Sequence, residues 1–319
     1  MMGVKMAKVL VKNIDKILLN VIPIERRFDS EGDLAIDSRV RDMYIKKGYE
    51  SAPKSREEAD ARGIKNFNGL MSSFPRINVY TDGKRKIVAA DIAPTRYLIG
   101  QAMRDIMKHP AYNKVYNKKQ IQNMSPCMAN VSVLTPIKKE GKYYLLSQIK
   151  GKAIGSGQIL AAPVAGNVDA KYLNAEDPLT EALKNECSEE IGIDLSYLNS
   201  TSFVCMIDDG AGGRNFASVA RDANLQEILN SYESYTKRKI AKNEQLELMA
   251  LSVLPVAGLA LTPLEDGNNG LHKITCYNPT INGLNEIVED RGVRPYTEAV
   301  IDYVANQKNV KFLLEKAGF

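Results

Sequence analysis

The chain has little that would place it in a membrane or in a secretory compartment. Its 319 residues contain no apolar run near the roughly 18 residues that a membrane helix needs. The first residues, MMGVKMAKVLVKNIDK, alternate charged with apolar side chains and lack the apolar core of a signal peptide. No repeat and no low-complexity tract is present. We therefore expect a cytoplasmic protein with no membrane partner.

Cysteine is also scarce. The four cysteines include no CxxC pair, which argues against a zinc site or a disulfide framework. They are Cys127, Cys187, Cys205 and Cys276. Hydrophobic residues make up 44% of the chain and charged residues 25%, which are ordinary values for a globular protein. The length allows two domains, each with its own core.

Charge divides the chain unevenly. Residues 1–125 carry 24 Lys and Arg against 14 Asp and Glu, whereas residues 126–319 carry 19 against 24. This asymmetry predicts a basic N-terminal domain, 1–125, attached to an acidic domain, 126–319. Residues 108–123 (KHPAYNKVYNKKQIQN) are basic with interleaved tyrosines, and could bind the backbone and stack the bases of RNA or another nucleic acid. The alternative for residues 108–123 is a solvated linker, and the alternative for the basic half as a whole is a basic surface that only aids solubility.

The pattern of residues 1–125 predicts a small α+β module. Asp82-Gly83 between two strand-like runs is typical of a tight hairpin turn. Ser55 is a plausible cap for the helix that follows it. The predicted elements are two strands within 7–24, helices at 33–48 and 55–63, hairpin strands 76–80 and 85–91, and a helix opened by Pro94.

The pattern after residue 125 predicts alternating strands and helices. Three strands precede Gly166, and a glycine-rich turn at 210–213 joins two later strands. The predicted strands are 130–136, 143–149, 158–164, 202–208, 215–221 and 248–256, and the predicted helices are 177–192, 225–242 and a final helix at 297–306.

The helix near residue 180 has clear end signals and an unusual face. Asp177 can cap its first turn, Pro178 suits its first position and Gly192 suits its end. At about 100° per residue, the carboxylates of Glu186, Glu189 and Glu190 overlap the apolar stripe, whereas Glu181 points outward. These three are therefore expected to face inward, although a cluster of Glu on a helix is usually a solvated face.

Inward-facing carboxylates are costly unless they are paired or bound to a cation. No Lys, Arg or His lies on the same face of the helix. A hard divalent cation with oxygen ligands, Mg2+ or Mn2+, is the simplest partner for these carboxylates. The sequence therefore predicts a divalent metal site on this helix.

The segment from Gly166 to Ile193 resembles the Nudix box of the Nudix hydrolases. That pattern is Gly, a five-residue spacer, Glu, a seven-residue spacer, then Arg-Glu-aliphatic-any-Glu-Glu-any-Gly-aliphatic. Residues 185–193 (NECSEEIGI) fill the last block, with Asn185 in place of the Arg. Asp177 stands in place of the first Glu, and ten residues separate it from Gly166.

This resemblance implies an α/β fold, the Nudix α/β/α sandwich with a mixed sheet. It implies hydrolysis of a nucleoside diphosphate linked to another moiety, of the ADP-ribose or nucleotide-sugar type, or else processing of RNA 5′ ends and caps. Nudix domains often dimerise, so a homodimer is possible. The alternative is a Nudix-like protein that senses a nucleotide or binds nucleic acid with little or no catalysis.

The resemblance also assigns roles to residues. Glu186 and Glu190 would be the principal metal ligands, with Glu189 as ligand or base. The main-chain carbonyl of Ala165 would be a further metal ligand, and Gly166 and Asn185 would contact substrate. A base or extra ligand from a later loop would be Glu247 or Glu244, for which a surface pair is the alternative. Because Asn185 lacks the charge of the family Arg, we expect weaker metal affinity than in a protein with the full box.

Overall fold

A computed structural model describes residues 7–22, 38–63, 67–108, 127–150, 160–161, 164–193, 201–208, 212–241, 256–264, 274–280, 283–289 and 295–319. The strands in these ranges are β1 Lys8–Lys12, β2 Lys16–Val21, β3 Leu70–Asp82, β4 Arg85–Arg96, β5 Cys127–Lys139, β6 Lys142–Lys150, β7 Leu160–Ala161, β8 Val164–Asn167, β9 Thr201–Asp208, β10 Gly213–Ala220, β11 Val256–Pro263, β12 Ile274–Thr280 and β13 Gly283–Glu289. The helices are α1 Ser38–Lys46, α2 Arg56–Ala61, α3 Tyr97–Lys108, α4 Pro178–Ile191, α5 Leu225–Ala241, α6 Pro295–Val304 and α7 Gln307–Ala317. Short 3-10 turns cover Tyr49–Ser51 and Ala170–Asn174.

The strands form a mixed, mostly antiparallel sheet whose longest path runs β1-β9-β10-β5-β6-β11-β12-β13. β5 is central because its length lets it pair with several strands in succession. It runs parallel to β10 along one edge and antiparallel to β8 along the other, and its last residues pair with β6. β3, which also pairs with β5, carries β4 and then β2. The protein is therefore mixed α/β, which agrees with the fold class that the sequence predicts.

Helices pack on both faces of the central strands. Neighbouring residues of one strand join different cores, since side chains alternate across a strand. Val133 and Phe216 pack with the buried residues of α4 and α5, whereas Leu134 and Ala217 pack with those of α6 and α7. This arrangement sets α4 against the sheet with one face buried and the other in solvent.

The sheet and the main core run across residue 125. β1 pairs antiparallel with β9, and Ile14 and Ile92 belong to the same buried cluster as Leu183. The division of the chain into domains 1–125 and 126–319 stays a prediction.

Several local predictions are confirmed and two are wrong. The 76–91 hairpin forms with Gly83 at a φ of 58°, and the Ser55 side chain accepts a hydrogen bond from the Glu58 amide. Pro94 does not open a helix: β4 continues to Arg96, opposite Leu70 of β3, and α3 begins at Tyr97. The helix near 300 is not the final one, because α7 follows it. The basic stretch 109–123 and most of the predicted strand 248–256 lie outside the described residues.

Within the described ranges, none of the helices combines the length and the apolar character needed to cross a membrane.

Candidate functional site

Helix α4 begins and ends where the sequence predicts. The Asp177 carboxylate accepts hydrogen bonds from the amides of Leu179 and Thr180 at 3.2 and 3.1 Å, and Pro178 fills the first helical position. Gly192 closes the helix with a φ of 70°. Asp177, which stands in place of the first box Glu, therefore serves as the helix cap. This cap fixes where each later side chain of α4 points.

The burial of α4 confirms the apolar stripe and corrects one carboxylate. The buried residues are Pro178, Leu179, Ala182, Leu183, Cys187 and Ile191. Glu186 and Glu190 are half-buried, as expected for carboxylates that border this stripe, but Glu189 is exposed. The inward orientation predicted for Glu189 is wrong because its position lies on the flank of the stripe, next to exposed Ser188. Its role as ligand or base stays a prediction.

Glu186 lies directly against strand β8. A Cβ added to Gly166 would lie 2.0 Å from both Cδ and Oε1 of Glu186, far inside any real contact. The absence of a side chain at position 166 therefore makes the space that the Glu186 carboxylate occupies. Gly166 and Glu186, which the sequence places in one site, do come together.

Glu190, one helical turn after Glu186, is held by two neutral donors. Its Oε2 accepts a hydrogen bond from Nε2 of Gln148 at 3.2 Å and from the main-chain N–H of Ala165 at 3.3 Å. Gln148 lies on β6 and is completely buried. Both donors are neutral, so they orient the carboxylate without adding a positive charge of their own.

Ala165 presents its main chain to the same carboxylate. In an extended strand the N–H and C=O of one residue point to the same edge. Because the Ala165 N–H reaches Glu190, its carbonyl also lies on the edge that faces α4. This placement is consistent with the predicted role of that carbonyl as a metal ligand, which stays a prediction.

Helix α5 fixes the last turn of α4, a contact that the sequence gave no reason to expect. The hydroxyl of Tyr235 donates a hydrogen bond to the main-chain oxygen of Glu189, and its Cβ packs against Gly192. Burial raises the pKa of Tyr235, and the nearby charges of Glu190 and Glu189 raise it further. The Tyr235 hydroxyl therefore stays neutral beside two carboxylates and holds the last turn of α4 in place.

Of the remaining predicted site residues, one is described by the structure and two are not. Asn185 is half-buried on α4, adjacent in sequence to Glu186. Glu244 and Glu247 lie outside the described residues.

The described residues do not assemble a three-carboxylate metal site. In this part of the chain, no group of three or more His, Cys, Asp or Glu side chains is arranged to hold a metal ion. Two carboxylates, Glu186 and Glu190, do border β8, and the main-chain oxygen of Ala165 faces the same edge. All of these donors are hard oxygens, the class that Mg2+ and Mn2+ prefer. This all-oxygen donor set fits a divalent cation.

No protein-family model matches the chain, and the search of curated proteins found no match. Among solved structures, the chain is similar to a MutT/nudix family protein from Enterococcus faecalis, with a TM-score of 0.35 and 13% identity over 67% of this chain and 78% of that one. A similarity at this level establishes neither a family nor a shared activity.

Proposed function

We propose that the protein is a pyrophosphohydrolase with a Nudix-like α/β/α sandwich, dependent on Mg2+ or Mn2+. Its substrate would be a nucleoside diphosphate linked to another moiety, of the ADP-ribose or nucleotide-sugar type. One observation carries the proposal: Glu186 and Glu190, one turn apart on α4, are both fitted to β8 by specific contacts. Surface glutamates have no need of such contacts.

The chain's own residues would position the charge in this site. Gln148 and the Ala165 amide hold one oxygen of Glu190, and Gly166 admits the Glu186 carboxylate to the strand. Phosphoanhydrides carry closely spaced negative charges, which a bound divalent cation neutralises while it activates water. Glu189, exposed at the same end of α4, would be within reach of an incoming substrate as a base.

A substrate panel tests the proposal. Phosphate-containing products would be measured from ADP-ribose, nucleotide sugars, NAD(H), dinucleoside polyphosphates and capped RNA, each with Mg2+ or Mn2+. The variant Glu190→Gln keeps the shape but loses the charge, and we expect turnover to fall about 100-fold or more, as for the loss of a general base or ligand. Glu181→Gln is the matched control, because Glu181 lies on the same helix and pairs with Lys184 at 2.6 Å. Turnover that survives Glu190→Gln would contradict the proposed site.

The same panel separates the hydrolase from a nucleotide-sensing protein. The sensor is favoured by the absence of a third carboxylate from the described part of the site. Tight binding of one compound without turnover, under both metals, would assign the sensor. Loss of turnover in Glu190→Gln with binding retained would assign the enzyme.

RNA 5′ ends are the second substrate class that we propose. Exposed basic side chains occur on β1, on β2 and at the turn between β3 and β4: Lys8, Lys12, Lys16, Lys84 and Arg85. Basic side chains that contact phosphates release counterions, so binding should weaken steeply with salt. RNA affinity measured across a salt series checks this, and an affinity that does not change with salt would contradict it.

A further inference from the structure

The side chain of Gln148 has one satisfied end and one unsatisfied end. It is completely buried on β6, and its Nε2 donates to Oε2 of Glu190 at 3.2 Å. Its Oε1 is also buried, and it accepts no hydrogen bond from any residue that the structure describes. The two heteroatoms of a carboxamide share one carbon, so Oε1 lies beside the contact between Gln148 and Glu190.

An amide oxygen in this position is costly unless something binds it. Removing a carbonyl oxygen from water without a new partner loses free energy, which is why almost all buried polar atoms are paired. A methionine would fill similar volume at this position without this cost. The oxygen therefore requires a partner from outside the described residues.

The charge of the site points to the chemistry of that partner. Glu186 and Glu190 border the site with two negative charges, and the described residues add no third carboxylate. Side-chain amide oxygens are ordinary neutral ligands of hard cations. The two carboxylates match the charge of a divalent cation, and the neutral amide oxygen would add one more protein oxygen around it.

We propose that Oε1 of Gln148 is a ligand of the divalent cation held by Glu186 and Glu190. Gln148 then binds the carboxylate through its nitrogen and the cation through its oxygen, and it fixes the two relative to each other. The inference rests on the proposed function, because it places the cation in the same site.

Diffraction from wild-type crystals soaked in Mn2+ tests the contact directly. We expect an anomalous manganese peak bordered by Glu186 and Glu190, with Oε1 of Gln148 roughly 2.2 Å away, between the usual Mg2+ and Ca2+ ligand distances. A manganese ion in this site with Oε1 turned away from it would overturn the role of Gln148 and leave the proposed function standing. A crystal with no manganese at these carboxylates would overturn both.

Mn2+ affinity, measured from the electron paramagnetic resonance signal of the free ion, gives an independent test. Gln148→Met should weaken binding about 10-fold or more, in the range seen when groups that support a metal site are removed. The control is Gln101→Met, since Nε2 of Gln101 also donates to a carboxylate, Asp105, at 3.2 Å, on α3. Affinity that is unchanged in Gln148→Met would overturn the proposal. If that variant fails to fold, the diffraction experiment on the wild type still decides.

Discussion

The carboxylate of Glu186 on α4 occupies the space that any side chain at position 166 of β8 would need. Gly166 does not adopt the left-handed conformation that only glycine tolerates well. Its lack of a side chain matters because of its neighbour, and the neighbour is a candidate metal ligand.

The first prediction is that Gly166→Ala impairs metal binding more than folding. The methyl group would displace the end of a flexible side chain rather than the backbone, and a Gly-to-Ala change also restricts the unfolded chain. We expect the free energy of unfolding to change by less than about 1 kcal/mol. The displaced Glu186 carboxylate should lower Mn2+ affinity about 10-fold or more. Urea unfolding and Mn2+ titration of the same sample check both parts.

A matched control for this variant is Gly100→Ala. A Cβ at Gly100 would lie 2.5 Å from Cγ of Met128, so this change also displaces a flexible side chain, but an apolar one. Mn2+ affinity should be unchanged in the control. Equal losses of affinity in both variants would mean that Gly166 acts through general packing and not through Glu186.

The end signals of α4 were readable from the sequence because they are local. Asp177, Pro178 and Gly192 each act on backbone groups within one turn, so their residue types are sufficient to place the helix. The start of α3 could not be read from the sequence, because the pairing of β4 with β3 outweighs the preference of Pro94 for a first helical turn. Long-range pairing, which the sequence does not display, decided the start of α3. The hairpin β12–β13 was not predicted, although the pair Asn282-Gly283 in the sequence after β12 is a typical hairpin turn signal.

The same distinction applies to the candidate site. Helical periodicity placed Glu186 and Glu190 on the buried side of α4, but it could not show that Glu189 reaches solvent. The contact of Gln148 with Glu190 was missed, since the two residues lie 42 positions apart. A glutamine near the end of the apolar run YYLLSQI was the available signal, because a polar side chain on a buried strand needs a partner.

The second prediction concerns the residue that replaces the box Arg. Asn185 can donate hydrogen bonds but carries no charge. An arginine at this position would hold a neighbouring carboxylate in place, so we expect Asn185→Arg to raise the affinity for Mg2+. The Mg2+ concentration at the midpoint of a titration should fall about 10-fold. Lys184→Arg, an exposed change on the same helix, should leave the midpoint unaltered. Weaker or unchanged Mg2+ affinity in Asn185→Arg would contradict the prediction, and unchanged affinity would mean that Gln148 and Ala165 already position the Glu190 carboxylate.

The third prediction is that Tyr235 stabilises the end of α4 in a pH-dependent way. Tyr235→Phe removes the hydrogen bond to the Glu189 main chain, which should lower the free energy of unfolding by about 1 kcal/mol at pH 7. Because its folded pKa is raised, the contribution of Tyr235 is complete below the ordinary tyrosine pKa of about 10 and is lost as the pH rises further.

Urea unfolding between pH 7 and pH 11 checks this sign. The difference in stability between wild type and Tyr235→Phe should narrow above about pH 10, since only the wild type carries the ionisable hydroxyl. Tyr80→Phe, at an exposed position of β3, should not alter stability at pH 7. A difference that widens with pH would contradict the assignment of a neutral, buried hydroxyl.

The fourth prediction is that the native protein shows one readily reactive thiol. Cys127 is half-buried, whereas Cys187, Cys205 and Cys276 are completely buried. Burial raises the pKa of the Cys205 thiol to about 12, so it supplies almost no thiolate near neutral pH. A thiol reagent at pH 8 should therefore modify one cysteine quickly in the folded state and all four in urea. Cys127→Ser should abolish the fast reaction, and a fast reaction that persists in this variant would show that α4, β9 or β12 opens readily around a buried thiol.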